Sequence, residues 1–456
     1  MPASTASLLV PLSTSPPRLL PFTGWRYAPG IDLDSVAAPP YDVIDADERA
    51  TLAGRDEHNV VHLTLPQPDP ASGRTAYEVA AQVAAAWRAH GILRPDPTPA
   101  LYLLRQRFHL PDGRAAERRG FIGRLRLAAW GQGILPHERT FPQAKADRLA
   151  LLKATGLHDS PIFTLFQDED GEAGRALAAA QEQPPAAVYG DDHGDMHELW
   201  RGDDPALIAH LTALMQARTL YVADGHHRYE TALAYQVWRR QEGGDEGAGH
   251  GAGHGAGHGA DYCLAYFAAL EDPGLVILPT HRLVMHAGRV EADQLWAALA
   301  ADFDLLPCAD DAELIAGLER HPAGAAVFGL VLQNLPPHLL RLRPHPAQGR
   351  VLLADHPAPV AALPVAILQS LILGPYFGVS ADPQTQKAQL RFEPDAAAAI
   401  AHVRAGRAAA ALLTRPTSLS QLRDLADAGC VAPPKATYFY PKLPSGLVFS
   451  LTQSPA

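Results

Sequence analysis

The run Tyr221-Val222-Ala223-Asp224-Gly225-His226-His227-Arg228-Tyr229-Glu230 constrains this chain more than any other stretch. Thr219 to Ala223 reads as a short buried strand. Asp224-Gly225 is a tight-turn dipeptide, and Arg228 to Arg240 follows as a helix. An apolar strand must therefore turn into a helix within a few residues. Backbone N–H groups at a helix start lack intrahelical partners and favour an anion. His226, His227 and Arg228 add donors and positive charge there, and an arginine can hold a phosphate through two parallel hydrogen bonds. The turn suits phosphate or carboxylate recognition. Its bland alternative is a turn of exposed polar residues.

Four further constellations carry chemistry. Pro136-His137-Glu138-Arg139-Thr140, followed by Lys145, Asp147 and Arg148, crowds cations, carboxylates and a histidine into about a dozen residues. A solvated charged face is the alternative there. In Ala38-Pro39-Pro40-Tyr41-Asp42 the prolines hold an extended segment that presents Tyr41 and Asp42 with little freedom. Leu278-Pro279-Thr280-His281-Arg282 reads as a strand ending in polar residues, and packing alone could explain it. Pro433-Pro434-Lys435-Ala436-Thr437-Tyr438-Phe439-Tyr440-Pro441-Lys442 could close a pocket or simply dock a tail on the core.

With 456 residues the chain has room for two to four domains, or one large body with insertions. Asp45 is placed to cap a short helix beginning near Ala46. Val60 to Leu65 reads as a strand. Thr75 to His90 reads as an amphipathic helix that Gly91 stops. Leu101 to Phe108 and Phe121 to Leu127 read as a hairpin turned by Pro111-Asp112-Gly113. Pro136 to Phe163 reads as a polar, motif-rich stretch. Residues 204–217 read as a helix, and strands are expected near 263–270 and 275–279. Beyond 285, helices are expected near 290–301, 311–319, 364–373, 395–405 and 418–428, with strands near 325–333, 338–343 and 408–414. This alternation lacks regular βαβ spacing and predicts a mixed α/β (α+β) fold.

Composition removes several function classes. Lys+Arg 38 against Asp+Glu 49 leaves a net charge of −11, a poor basis for binding nucleic acid. Cys263, Cys308 and Cys430 are odd in number and unpaired in spacing, which argues against a disulfide framework and fits a reducing cytoplasm. The first 20 residues read as a loose leader without a signal-peptide pattern, and no apolar run is long enough to span a membrane. The Gly/Ala tract with His250, His254 and His258 reads as a flexible insertion with incidental metal affinity, because nothing rigid holds the imidazoles. The P-loop, dinucleotide-binding, zincin and hydrolase-elbow signatures are missing.

Taken in order, APPYDVI (Ala38 to Ile44), PHERT with Lys145-Ala146-Asp147-Arg148, ADGHHRYETA (Ala223 to Ala232), LPTHR (Leu278 to Arg282) and PPKATYFYPKL (Pro433 to Leu443) resemble the bacterial and archaeal family catalogued as domain of unknown function 1015. The likeness runs from Pro21 to about Leu447. Asp224 to Arg228 also resembles the phosphate-binding box of the ParB/sulfiredoxin-like superfamily, which includes nucleotide-binding ParB proteins, sulfiredoxins and free-serine kinases. APPYDV is similar to the proline-rich segment before the first helix of that fold. The ParB arginine-rich box and the sulfiredoxin catalytic cysteine are absent.

The resemblance implies a ParB/sulfiredoxin-like core in two halves, 21–65 and 216–285. Between them 66–215 would form an inserted α/β lobe, 243–260 a low-complexity loop, and 286–456 a C-terminal α/β lobe. It further implies phosphoryl transfer to, or phosphoester hydrolysis of, a small metabolite, with serine or phosphoserine as the specific substrate. A non-catalytic nucleotide or phosphate sensor is the alternative. Transfer needs positive charge on the phosphoryl oxygens and a base or water-positioner. Arg139, Thr140, Lys145, Arg148, Gly225, His227 and Arg228 are the expected phosphate and substrate residues. Asp42, His137, Glu138 and His226 are the expected catalytic residues. Asp224, or alternatively Asp42, is the expected Mg²⁺ ligand, and ADP or ATP the expected nucleotide.

Overall fold

The computed structural model describes residues 18–140, 142–242, 259–286, 292–344, 353 and 356–452. Most of the expected leader, and His250, His254 and His258, lie outside the described residues.

Alternation along the strands builds the core. In Leu101–His109, Leu101 and Leu103 enter one apolar cluster with Phe121 and Phe267, while Tyr102 and Leu104 enter another with Phe163 and Tyr266. Successive strand side chains point to opposite faces, so a strand buried on both needs cover on both. Helices Glu172–Ala180, Pro205–Ala217 and His226–Glu242 cover the first face through Leu177, Leu211 and Tyr229. On the second, cover comes partly from Phe439, Leu443 and Val448 near the C-terminus. Each such side chain contributes ~1.5–3 kcal/mol on burial.

Among the described residues this sheet has nine strands. Its order is Ile134–Leu135, Leu220–Asp224, Ile162–Phe166, Tyr262–Ala269, Ala115–Arg126, Leu101–His109, Met196–Gly202 and Ala187–Gly190, with Leu19–Leu20 also on Ala115–Arg126. Parallel pairs join Ile134–Leu135 to Leu220–Asp224 and Ile162–Phe166 to Tyr262–Ala269, and the rest are antiparallel. The expected hairpin is there, with Gly113 at φ +82° in its turn. Among the described residues a second sheet has six antiparallel strands, in the order Phe303–Pro307, His338–Leu342, Val327–Leu332, Ala410–Thr414, His281–Val284 and Leu390–Glu393. The architecture is mixed α/β, and no helix among the described residues is long and apolar enough to cross a membrane.

Several local expectations need correction. Val60 to Leu65 is not a strand but carries a short helix, Val61–Thr64. The fully buried Asn59 starts it by accepting from the Val61 N–H at 3.0 Å, and a short apolar run cannot by its pattern tell strand from buried helix. The polar stretch 136–163 contains a helix, Pro142–Thr155. Strands of 66–215 and of 216–285 hydrogen-bond in one sheet, so 66–215 is woven into the body rather than set apart as a lobe. The last residues leave the second sheet altogether. Ala432 N–H donates to the His137 carbonyl at 2.7 Å, Ser445 N–H to Ala38 at 2.8 Å and Phe449 N–H to Trp25 at 2.8 Å. This closing segment thereby returns to the first body.

Candidate functional site

The strand Leu220–Asp224 ends as expected at Gly225, whose φ of +88° is left-handed and whose Cβ, were it present, would lie 3.0 Å from the Arg228 guanidinium. Glycine is the residue that meets both demands. Helix His226–Glu242 begins at once, two residues ahead of the expected start. Its first turn, His226 to Arg228, lines a cavity of about 320 Å³. Asp42 and Tyr41 form one wall, Glu138 another, and Lys435, Tyr438 and Lys442 of the closing segment a third. Gln386, Lys387 and Phe392 reach in from the second sheet's side. The cavity thus sits where the two bodies meet, walled by four of the five motifs.

The remaining motif, LPTHR, stands behind it. Lys435 has a left-handed backbone (φ +58°), and its carbonyl accepts from Thr280 Oγ1 at 2.8 Å and from Arg282 at 3.1 Å. Its N–H donates to Glu138 Oε1 at 3.3 Å. Burial pulls Arg282 down to about 9, and its guanidinium lies over the ring of Phe392, 5.4 Å away. His281, also buried, accepts from Thr414 N–H in the second sheet. LPTHR is not one strand with a polar end: strand Val276–Leu278 stops before it, Thr280 lies between strands, and His281 and Arg282 open strand His281–Val284, so Lys435 is braced from the junction of two strands.

The charges in the cavity are tuned by these neighbours. Burial pushes the Asp224 carboxyl up, but Lys442 and then Arg228 outweigh it and hold Asp224 well below the usual carboxylate range. Lys442 Nζ donates to Asp224 Oδ2 at 2.9 Å, and Gly225 N–H donates to Oδ1 at 2.7 Å. Burial pushes Glu138 up to about 6, partly offset by Lys435. That places one cavity carboxyl where it can exchange a proton near neutral pH. Burial likewise raises Tyr41 to about 12. The Tyr41 ring is packed against the Arg148 guanidinium, 4.4 Å away.

The expected residues divide. Asp42, Glu138, Asp224, Gly225, His226, His227 and Arg228 come together. His137 does not line the cavity. It is buried, its Nδ1–H donating to the Val222 carbonyl at 2.8 Å and its Nε2 accepting from Thr437 at 2.9 Å, and burial lowers it to about 4. A neutral ring fixed at both nitrogens ties PHERT to the strand and to the closing segment. His226 Nε2 accepts the His137 backbone N–H at 3.2 Å, which leaves its proton on Nδ1. Thr140 Oγ1 and Lys145 Nζ both donate to Glu230 Oε2, at 2.6 and 2.7 Å, away from the cavity. Burial pushes Glu230 up, but Lys145, Thr140 and Trp130 overcome it and keep the carboxylate ionised. Arg148 spends its donors on Asp147 and on the Thr64 carbonyl. Arg139 is exposed and outside the cavity lining. The polar stretch therefore splits, with Glu138 facing the cavity and Thr140, Lys145 and Arg148 satisfied elsewhere.

Both oxygens of Asp224, the expected magnesium ligand, accept a hydrogen bond in this arrangement, one of them from an ammonium. Among the described residues no group of three His, Cys, Asp or Glu side chains is placed to hold a metal. Sequence reasoning missed Lys435, Lys442 and Tyr438 as individual site residues, although it marked their segment as able to close a pocket. Gln386, Lys387 and Phe392 carried no signal in the sequence.

No curated protein matches the sequence. Solved structures that resemble the fold include a free serine kinase in complex with AMP, at 10% identity and TM-score 0.31, covering 71% of this chain and 86% of that one. SbnI with C-terminal truncation from Staphylococcus aureus matches at 10% identity and TM-score 0.33, over 73% and 87%. A conserved hypothetical protein from Pyrococcus furiosus matches at 12% identity and TM-score 0.31, over 69% and 90%. Likenesses this distant carry no argument about ligand or reaction. The family model for proteins of unknown function DUF1015 matches residues 19–366, which takes in every motif except the closing one. Since that match spans most of the chain, the protein is a member of the DUF1015 family.

Proposed function

We propose that the cavity binds the phosphate of a small phosphorylated metabolite or nucleotide and transfers or hydrolyses its phosphoryl group. One observation carries this reading. Arg228, Lys435 and Lys442 and the start of a 17-residue helix converge on one cavity that also contains Glu138 and Asp42. Cations and amide donors at a helix start supply the charge that phosphoryl oxygens need. Glu138, raised to about 6, supplies a base of suitable strength for an attacking hydroxyl or water. Asp42 stands exposed at the same cavity, where it can orient the nucleophile. Serine or phosphoserine is the specific substrate that the sequence resemblance suggests, and ADP or ATP the nucleotide.

The test is a thermal-shift and calorimetry screen over inorganic phosphate, phosphoserine, serine, ADP and ATP, each with and without Mg²⁺. A ligand at a hundred times its Kd stabilises by about 2.7 kcal/mol, enough to read as a shift in melting temperature. Ligands that shift the melt are then assayed for phosphate release or transfer. Binding with turnover supports the enzyme, binding without turnover makes the protein a phosphate or nucleotide sensor, and no binding overturns the reading.

A further inference from the structure

The closing segment reaches the cavity over the second face of the nine-stranded sheet, and two side chains of that sheet hold it. Arg118 and Gln106 stand directly opposite each other on adjacent strands. Both are fully buried. Arg118 donates to the Tyr440 carbonyl at 3.1 Å and to the Pro441 carbonyl at 2.7 Å. Gln106 Nε2 donates to the Lys442 carbonyl at 3.1 Å. Three successive carbonyls, ending at the lysine that meets Asp224, are thus each met by this cross-strand pair.

The pair is locked in turn. Arg118 Nε donates to Gln106 Oε1 at 3.1 Å, which fixes the amide so that Nε2 faces the closing segment. Gln106 Nε2 also meets His197 Nδ1 at 3.0 Å, and His197 Nε2 lies 3.3 Å from Asp191. The Arg118 guanidinium lies over the Phe163 ring, 4.7 Å away, so it has one place to go. A buried arginine is costly unless its donors are used, and here they are used on the Gln106 amide oxygen and on the backbone of the closing segment rather than on a carboxylate. That expenditure makes sense where the loop's position matters.

We propose that Arg118 and Gln106 are positioning residues that set Lys442 over the cavity for an anionic ligand. Neither lines the cavity, so they act through the main chain of Tyr440 to Lys442. The inference rests on the phosphate-binding reading above, and one experiment separates the two. ADP affinity is measured by calorimetry for the full chain and for Lys442→Ala, Arg118→Lys, Gln106→Glu and Lys442→Ala combined with each.

Lysine keeps the charge of Arg118 but cannot span two carbonyls, and Gln106→Glu keeps the shape while removing the donor to Lys442. Each single variant is expected to weaken ADP binding about tenfold, and each double variant no further than Lys442→Ala alone, because coupled residues are non-additive. A merely structural role would give additive losses, about a hundredfold in the doubles, and would overturn the positioning role. Unchanged affinity in Arg118→Lys and Gln106→Glu would overturn it too. Unchanged affinity in Lys442→Ala would overturn the positioning role as well, and only the absence of binding of phosphate, phosphoserine, ADP and ATP by the unaltered protein would remove the phosphate-binding reading and the proposal with it. Should Arg118→Lys fail to fold, seen as a lost melting transition, the Gln106→Glu cycle decides alone.

Discussion

Lys145 and Lys442 both hold a carboxylate, Glu230 at 2.7 Å and Asp224 at 2.9 Å, yet they belong to different kinds of region. Around Lys145, the Thr140 hydroxyl and the Trp130 N–H share the same carboxylate, and the cluster pins PHERT and its following helix to helix His226–Glu242. Around Lys442, the carboxylate is one wall of an open cavity that also faces Arg228, Lys435, Glu138 and Asp42. The first cluster consumes its charges internally. The second leaves charge directed at a space the size of a small ligand. Chemical variety within a segment does not distinguish the two, because the sequence does not state which carboxylate a cation will meet.

The sharpest way to break this comparison is Gly225→Ala. A side chain there demands a left-handed backbone and crowds the Arg228 guanidinium, which donates to the Pro161 carbonyl at 2.6 Å. Stability should fall by roughly 1–3 kcal/mol from backbone strain. Phosphate-ligand binding should be lost along with it, and a melt and a titration on the same sample read both. Intact binding would show that the turn does not organise the site.

Next in size is the contrast between Arg228→Ala and Lys145→Ala. Removing Arg228 should weaken phosphate-ligand affinity about tenfold or more, through loss of a charge-assisted contact. Removing Lys145 should leave affinity within about twofold and lower the melting temperature instead, because Glu230 loses its ammonium partner. Calorimetry and a thermal melt on the two variants decide it, and the reverse pattern would exchange the roles assigned to the two regions.

The two regions should also differ in their response to pH. Glu138 is raised to about 6, so it is protonated below that pH and a competent base above it. Turnover by the proposed enzyme should rise with pH through about 6, and Glu138→Gln should flatten that limb. Glu230 is held below its ordinary range, so it stays ionised across the same window and Glu230→Gln should leave the limb in place. The smallest effect is expected from deleting 243–258, since a Gly/Ala/His repeat cannot build a core. Ala260 and Asp261 are retained because Ala260 is buried and Asp261 accepts from Gln236 and Arg240. Melting temperature and ligand binding should stay within error of the full chain.

Much of the local structure was legible. Asp45 caps its helix as its side chain and position implied, accepting from the Asp47 and Glu48 N–H groups. Thr75 closes a capping box with Glu78 at the start of the helix read over 75–90. The strand–turn–helix at Asp224 to Arg228 was legible because a glycine in a tight turn and a helix start are both local matters. Val60 to Leu65 was misread because burial, not period, decides such a short run. His137 was read as a catalytic candidate because the type of a residue says what it can do, while its burial and its partners say what it does.

By itself the sequence determined many of the elements, though not the helices Val61–Thr64 and Pro142–Thr155, together with the mixed α/β character and the five segments that carry polar chemistry. These depend on residue spacing, side-chain branching, caps and glycines, all of which act over a few neighbours. Only the tertiary structure decided which charges face the cavity. Lys442 reaches Asp224 across 218 residues, and Arg118 reaches the Tyr440 and Pro441 carbonyls across 322 and 323. Such pairings follow from the way the closing segment crosses the sheet. A cation's energy depends on the carboxylates, carbonyls and water actually around it, and that environment exists once distant strands are hydrogen-bonded side by side.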